Sequence, residues 1–349
     1  MTVNLNAPDS NRSYAIAADW LELLALSRVS GVSTSIDINE SGDILSDPAM
    51  EDAESAGDDL DILNVATEAA TDAVFDEIGF RVECLGEKYP FRVSFEDRRF
   101  RMQLVAPGSD DALNSAHDIY ITCLLMSCVR FGLLDAGKSG VSVEEIGTHF
   151  QVLATVAAAG YMGGDAYLFG HPRPDSTPLL NAVQRLSELI RAGTPVSSRP
   201  SGMSMSAKDG GIDVVAWRDH ADQRPSKAVM FGQCASGRNW PGKSVTEYVK
   251  EFRHYFSRWI SEHWLPAIFV PFPIYAEKER SHALQTETDR AAYYLARESS
   301  VGVIIDRLRL VHWACEVWGN PPDAANEALA DISKVWDWRD QALAAARAA

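Results

Sequence analysis

One charge stands inside the apolar run Ile212–Trp217: Asp213, flanked by Ile212 and Val214. A carboxylate in a buried strand is costly unless it is paired, hydrogen-bonded or bound to a cation. The polar turn of residues 219–227 and a second apolar run, Ala228–Cys234, follow it. Two such runs about a polar turn predict a β-hairpin. Gln233 lies near the end of the second run, so adjacent strands would hold the Asp213 carboxylate and the Gln233 amide oxygen close together. With the backbone carbonyl of Cys234 and a water, they make a hard-oxygen site suited to Mg²⁺ or Mn²⁺.

The hairpin sits in a regular order of elements. A helix is expected over Thr177–Ala192 before it, a helix over Val245–Ile260 after it, and then an apolar strand at Ala267–Phe272. The tail reads as helical, over Thr288–Glu298, Val301–Trp318 and from Asp323 onward. Helix, strands, helix, strand is the order of an α/β sandwich. Upstream, residues 13–28 carry Ile16, Trp20, Leu23 and Leu24 on one stripe and predict an amphipathic helix. The stretch Val32–Asp59 is rich in Ser, Asp, Glu and Gly and reads as a loop. A helix over Leu60–Ile78, capped by Asp58 or Asp59, comes next. A hairpin follows in FRVSFEDRRFRMQLV, then helices over Asp118–Phe131 and Ser142–Ala159, the last with a Ser142/Glu145 capping box. This predicts two domains: an acidic, mainly helical one over residues 1–135 that includes the hairpin, and an α/β domain over 140–349 with a helical C-terminal extension.

Charge is unevenly placed. Residues 1–80 hold 17 Asp and Glu against two Arg and no Lys, so nearly all of the formal −17 resides there. Such a block repels phosphate, and its expected use is solubility or docking of a protein partner. The five cysteines are scattered with no CxxC pair, which argues against a disulfide framework or a zinc site. No apolar run of membrane-spanning length occurs, and the N-terminus lacks the blocks of a signal peptide, so a cytoplasmic protein with no membrane contact is expected.

The pattern GxD, apolar strand, turn, apolar strand, then GQCASGRNWPGK over residues 232–243 resembles the metal-binding hairpin of PD-(D/E)XK (restriction-endonuclease-like) nucleases, in the variant where Gln replaces the second acid. The resemblance spans about residues 177–275. It implies a mixed central sheet flanked by helices and a Mg²⁺-dependent endonuclease hydrolysing DNA, the effector of a bacterial restriction or anti-phage defence system, with a homodimer suited to double-strand cutting. It assigns the metal to Asp213, Gln233 and the Cys234 carbonyl, and a supporting carboxylate to Glu188 on the helix before the hairpin. The family lysine would fall two residues after Gln233, where this chain has Ala235; Lys243 is then the nearest alternative cation. The segment FQVLATVAAAGYMGGDAYLFGHPRPDSTPLL reads as a lead-in to that core.

Two other readings compete. Gly237–Ser244 matches GxxxxGK[ST] between a strand and a helix, as in a P-loop NTPase. Pro241 removes one of the backbone N–H groups such a loop needs, and Trp240 is bulky where it must wrap a phosphate. A catalytically inactive nuclease-like module that binds a partner protein or nucleic acid is the other, favoured by Ala235.

Overall fold

The computed structural model describes residues 5–8, 13–40, 60–96, 99–173, 177–201, 210–237, 239–274 and 287–348. The chain forms two compact units: residues 1–143, 272–291 and 337–349, and residues 144–271 and 292–336. The first break falls a few residues beyond the expected one. The C-terminal part differs more, because two of its segments group with the first unit.

In the first unit, α1 (Tyr14–Ser27) is followed by β1 (Val32–Thr34), α2 (Ser35–Glu40) and the long α3 (Leu60–Leu85). The hairpin β2 (Phe91–Glu96) and β3 (Arg99–Leu104) leads to α4 (Asp111–Phe131). β1 joins the hairpin to give an antiparallel sheet in the order β1-β3-β2. Val32–Glu40 is therefore a strand and a helix and not the expected loop. Asp37 is the reason: it accepts from the two terminal guanidinium nitrogens of Arg28, at 2.5 and 2.8 Å, and from the Thr34 N–H at 2.7 Å. Residues 41–59, with the expected caps Asp58 and Asp59, lie outside the described residues.

α1 is buried on nearly every side and carries two acids inward, Asp19 and Glu22. Both meet the fully buried Arg81 of α3, which also bonds Glu77 and the Ala15 carbonyl. Tyr89 and Tyr120 donate to Glu22, and Ser127 donates to Asp19. Burial alone would lower the Arg81 pKa, but Glu22, Tyr120, Asp19 and Glu77 outweigh it and keep the guanidinium charged. Part of the acidity of residues 1–80 is thus internal wiring, unlike the solvent-facing block expected from charge alone.

The second unit starts with α5 (Glu145–Met162), β4 (Asp165–Leu168) and α6 (Leu179–Ile190). β5 (Val214–Arg218), β6 (Ala228–Cys234), α7 (Val245–Phe252) and β7 (Trp264–Phe269) follow. Then come α8 (Glu287–Val301, in this unit from residue 292), β8 (Val303–Ile305), α9 (Arg307–Val317) and α10 (Asp323–Leu329). The five-stranded sheet runs β8-β7-β6-β5-β4. β4, β5 and β6 form an antiparallel meander, while β7 and β8 add in parallel. α5, buried along nearly its whole length, packs across β4, β5 and β6, as a core helix must. α7 packs on β6 and β7, where Phe252 meets Phe231 edge-on.

Several elements differ from expectation. The capping box is absent: α5 begins at Glu145 with no side-chain cap, and the Ser142 carbonyl accepts from the Trp338 indole. The helix expected over Val245–Ile260 ends at Phe252, because Tyr255, Phe256 and Trp259 turn to pack around the Phe252 ring. Val301–Trp318 contains β8, entered through Gly302 at φ +72, where a Cβ would lie 2.0 Å from the Pro266 carbonyl oxygen. The last helix breaks into α10 and α11 (Ile332–Arg347). Among the described residues no helix is long and apolar enough to cross a membrane.

Arg81→Met should cost about 3–5 kcal/mol, since it strands buried carboxylates. Urea unfolding followed by circular dichroism reads this directly, and a loss below about 1 kcal/mol would mean that the network holds little.

Candidate functional site

Asp213 stands one residue before β5 and is 7% exposed. Its backbone closes the end of the meander: the N–H donates to the Gly232 carbonyl at 2.9 Å, and the carbonyl accepts from Phe169 and Gly170 at 2.8 Å each. Its side chain is held as firmly. Gln151 Nε2 donates to Oδ1 at 2.9 Å and the Cys234 N–H donates to Oδ2 at 2.8 Å. Hydrogen bonds to an ionised carboxylate are the stronger kind, and here they fix its orientation.

Gln151 arrives from the middle of α5, a helix otherwise read as core. Its carbonyl oxygen Oε1 is buried with no hydrogen-bond partner. Gln233, between Gly232 and Cys234 on β6, is 8% exposed, and its Oε1 is likewise buried and unpartnered. An amide oxygen left without a donor in a dry site loses about 1–3 kcal/mol. A hard cation beside Asp213 would satisfy such oxygens, so these side chains fit a Mg²⁺ or Mn²⁺ ligand set by donor chemistry. It is a set of one carboxylate with neutral amides. Among the described residues no group of three or more His, Cys, Asp and Glu could hold a metal.

Lys243 follows a 3₁₀ turn at Trp240–Gly242 and is half-buried. It shares a neighbour with Asp213. Burial pushes the Cys234 thiol well above its ordinary pKa, the Asp213 carboxylate pushes it further, and the Lys243 ammonium pulls it back. The expected lysine position, Ala235, is 3% exposed and donates its N–H to the Phe269 carbonyl, closing the β6–β7 ladder. Arg238 lies outside the described residues.

Glu188 is not brought to this end of the sheet. It is exposed and accepts from Gln184 one turn earlier on α6. The C-terminus of α6 is tied to Lys227, which donates to the Ile190 carbonyl and pairs with Asp219. Asp219 follows β5, whereas Asp213 precedes it, so the length of a strand, roughly 20 Å, separates them. The helix-borne partner of Asp213 is Gln151 of α5. The signal was present in the sequence, a lone amide in the apolar stretch FQVLATVAAA, and it follows the same logic as a lone Asp in an apolar strand.

The loop of the phosphate-binding motif is closed on itself. The N–H groups of Trp240, Gly242 and Lys243 donate to the carbonyls of Gly237, Asn239 and Trp240, and the Trp240 side chain is buried. Those donors do not face a common point where a phosphate could lie. The basic residues after the hairpin are partly engaged: Lys250 pairs with Glu247, and Arg253 with Glu262.

No protein-family model, curated protein or solved structure matches this chain. The geometry itself yields two tests. Gly170 permits Gln151 to reach Asp213, because a Cβ there would lie 2.6 Å from the Gln151 amide. Gly170→Ala should destabilise by about 1–3 kcal/mol, and less in a Gln151→Ala background; equal costs in both would separate the two residues. Alkylation of Cys234, followed by peptide mass spectrometry, should speed up in Asp213→Asn and slow in Lys243→Ala. Unchanged rates in both would place neither charge beside the thiol.

Proposed function

We propose that the second unit is a Mg²⁺- or Mn²⁺-dependent endonuclease that hydrolyses DNA, serving a bacterial restriction or anti-phage defence system. The observation that carries this reading is the Asp213 carboxylate, buried at the meander end and gripped by Gln151 and Cys234, with the unpartnered amide oxygens of Gln151 and Gln233 on those same elements. The order of α5, the β4-β5-β6 meander, α7 and the parallel β7 is consistent with the restriction-endonuclease-like core that the hairpin resembles. The biological setting rests on that resemblance.

In this reading Asp213, Gln233 and Gln151 supply oxygens to the cation, together with a backbone carbonyl, that of Cys234. A cation held there supplies Lewis acidity toward the scissile phosphate and a lowered pKa for the attacking water. The chain's own work is orientation and charge. Gln151 and the Cys234 N–H keep the carboxylate from rotating, so no reorganisation is needed when the phosphate arrives. Lys243, on the loop after β6, offsets negative charge that develops on the phosphate. Glu188 has no part in this.

A second reading has a specific observation behind it. Ala235 is buried in the backbone ladder where the family lysine would stand, which suits a nuclease-like module that binds DNA or a partner protein without cutting.

Incubation of plasmid and linear DNA with the protein and Mg²⁺ or Mn²⁺ separates the two. Cleavage is expected, reduced at least about 100-fold in both Asp213→Ala and Lys243→Ala. DNA binding without cleavage under either metal would overturn the enzyme and support the module. Nucleotide hydrolysis that needs Lys243 but not Asp213 would revive the phosphate-loop reading.

A further inference from the structure

The hairpin of the first unit breaks with the charge around it. Residues 1–80 hold 17 acids against two Arg, whereas FRVSFEDRRFRMQLV carries four Arg and two acids. Alternation along the strands sorts its side chains. Phe91, Phe100 and Met102 are buried, as is Ser33 of β1, and Phe100 stacks on Phe75 of α3 at 4.5 Å. The opposite face is open. There the register sets Arg92 beside Gln103 in one row, and Ser94, Arg101 and Thr34 side by side in the next. Arg92, Arg101 and Gln103 are exposed. The two acids of the hairpin stand at its turn, Glu96 in register with Arg99.

Antiparallel sheets commonly leave one face to water, and such a face gains from opposite charges placed across its strands. Here the residues across from the arginines carry an amide and hydroxyls. Among the described residues neither Arg92 nor Arg101 forms an ion pair or a hydrogen bond. Acids of the same unit are engaged elsewhere: Arg28 takes Asp37, and Arg81 takes Asp19, Glu22 and Glu77. Arg92 and Arg101 are diagonal neighbours, roughly 7–8 Å apart, with neutral hydrogen-bond donors around them. A guanidinium fork matches a phosphate group with two parallel N–H bonds.

From this face we infer a docking site on the first unit for the phosphodiester backbone of duplex DNA. The choice of DNA among polyanions rests on the function proposed above. Arg92 and Arg101 neutralise phosphates, while Gln103 and Ser94 donate to phosphate or sugar oxygens. Contacts of this kind position a duplex and do not read its sequence. The site lies on the other unit from Asp213 and needs no cation. The charge count alone assigns this part of the chain to repel phosphate; its sheet gives it a face that attracts phosphate.

The test uses the full-length protein and a fluorescent duplex oligonucleotide in EDTA, where the duplex stays intact, with anisotropy read across a salt series. Arg92→Ala/Arg101→Ala should weaken binding at least about tenfold and flatten the salt slope by about two. Arg92→Lys/Arg101→Lys keeps both charges and should keep the slope. Circular dichroism checks that each variant folds. Arg224→Ala/Lys334→Ala removes the same charge from exposed pairs with Asp222 and Asp331, and should cost far less. An equal loss in that control would reduce the effect to net charge and overturn the inference. Unchanged affinity and slope in Arg92→Ala/Arg101→Ala, with Mg²⁺-dependent cleavage intact, would overturn the docking face and spare the nuclease. Loss of self-association in sedimentation by that variant, with DNA affinity kept, would assign the face to a second copy and also overturn it. Wild-type protein that neither binds nor cuts duplex DNA would overturn both.

Discussion

The second unit is organised around a buried carboxylate that has to be satisfied. Asp213 is desolvated at the end of a sheet, and its polar groups find partners on β6, on α5 and in the segment after β4. Its carbonyl gathers the chain leaving β4, its N–H and Oδ2 take both ends of Gly232–Cys234, and Oδ1 reaches the helix across the meander. Leaving any of these groups unmade would cost the desolvation of that group. The requirement therefore fixes where β4 ends, how β5 meets β6 and how α5 is rotated. It also puts two amide oxygens with no donor on the elements that hold the carboxylate.

The hairpin was legible because its signal is local. An alternating or continuous apolar run with one misplaced charge can be read from a dozen residues, and Ala228–Cys234 occupies the predicted bounds. The helix that serves Asp213 was not legible in the same way. Two helices precede the hairpin, and the nearer one in sequence carries a Glu while the farther carries a Gln. Sequence proximity favoured Glu188; packing across the sheet favoured α5. That choice depends on contacts between residues more than 60 positions apart, which no window of the sequence contains. Gln151 is found only by asking why a polar side chain interrupts a helix with no solvent face.

The other misreadings have the same origin. Val303–Ile305 has helical sequence on both sides, and a parallel partner distant in the chain makes it a strand. The acidic start of the chain suggested a charged surface, yet Asp19, Glu22 and Glu77 converge on Arg81 inside the first unit. Charge counts locate acids in the sequence; the partner of Asp19 and Glu22 lies about 60 residues downstream, on another helix, where Glu77 joins it from one turn away.

The proposed site has Asp213, Gln151 and Gln233 sharing one cation. Crystals grown with Mn²⁺ and an uncleavable DNA duplex, measured at the manganese absorption edge, address it directly. One anomalous peak is expected, in coordinating contact with an Asp213 carboxylate oxygen and the Oε1 atoms of both glutamines. Bound DNA with no peak at Asp213, or a peak held by other residues, would contradict it.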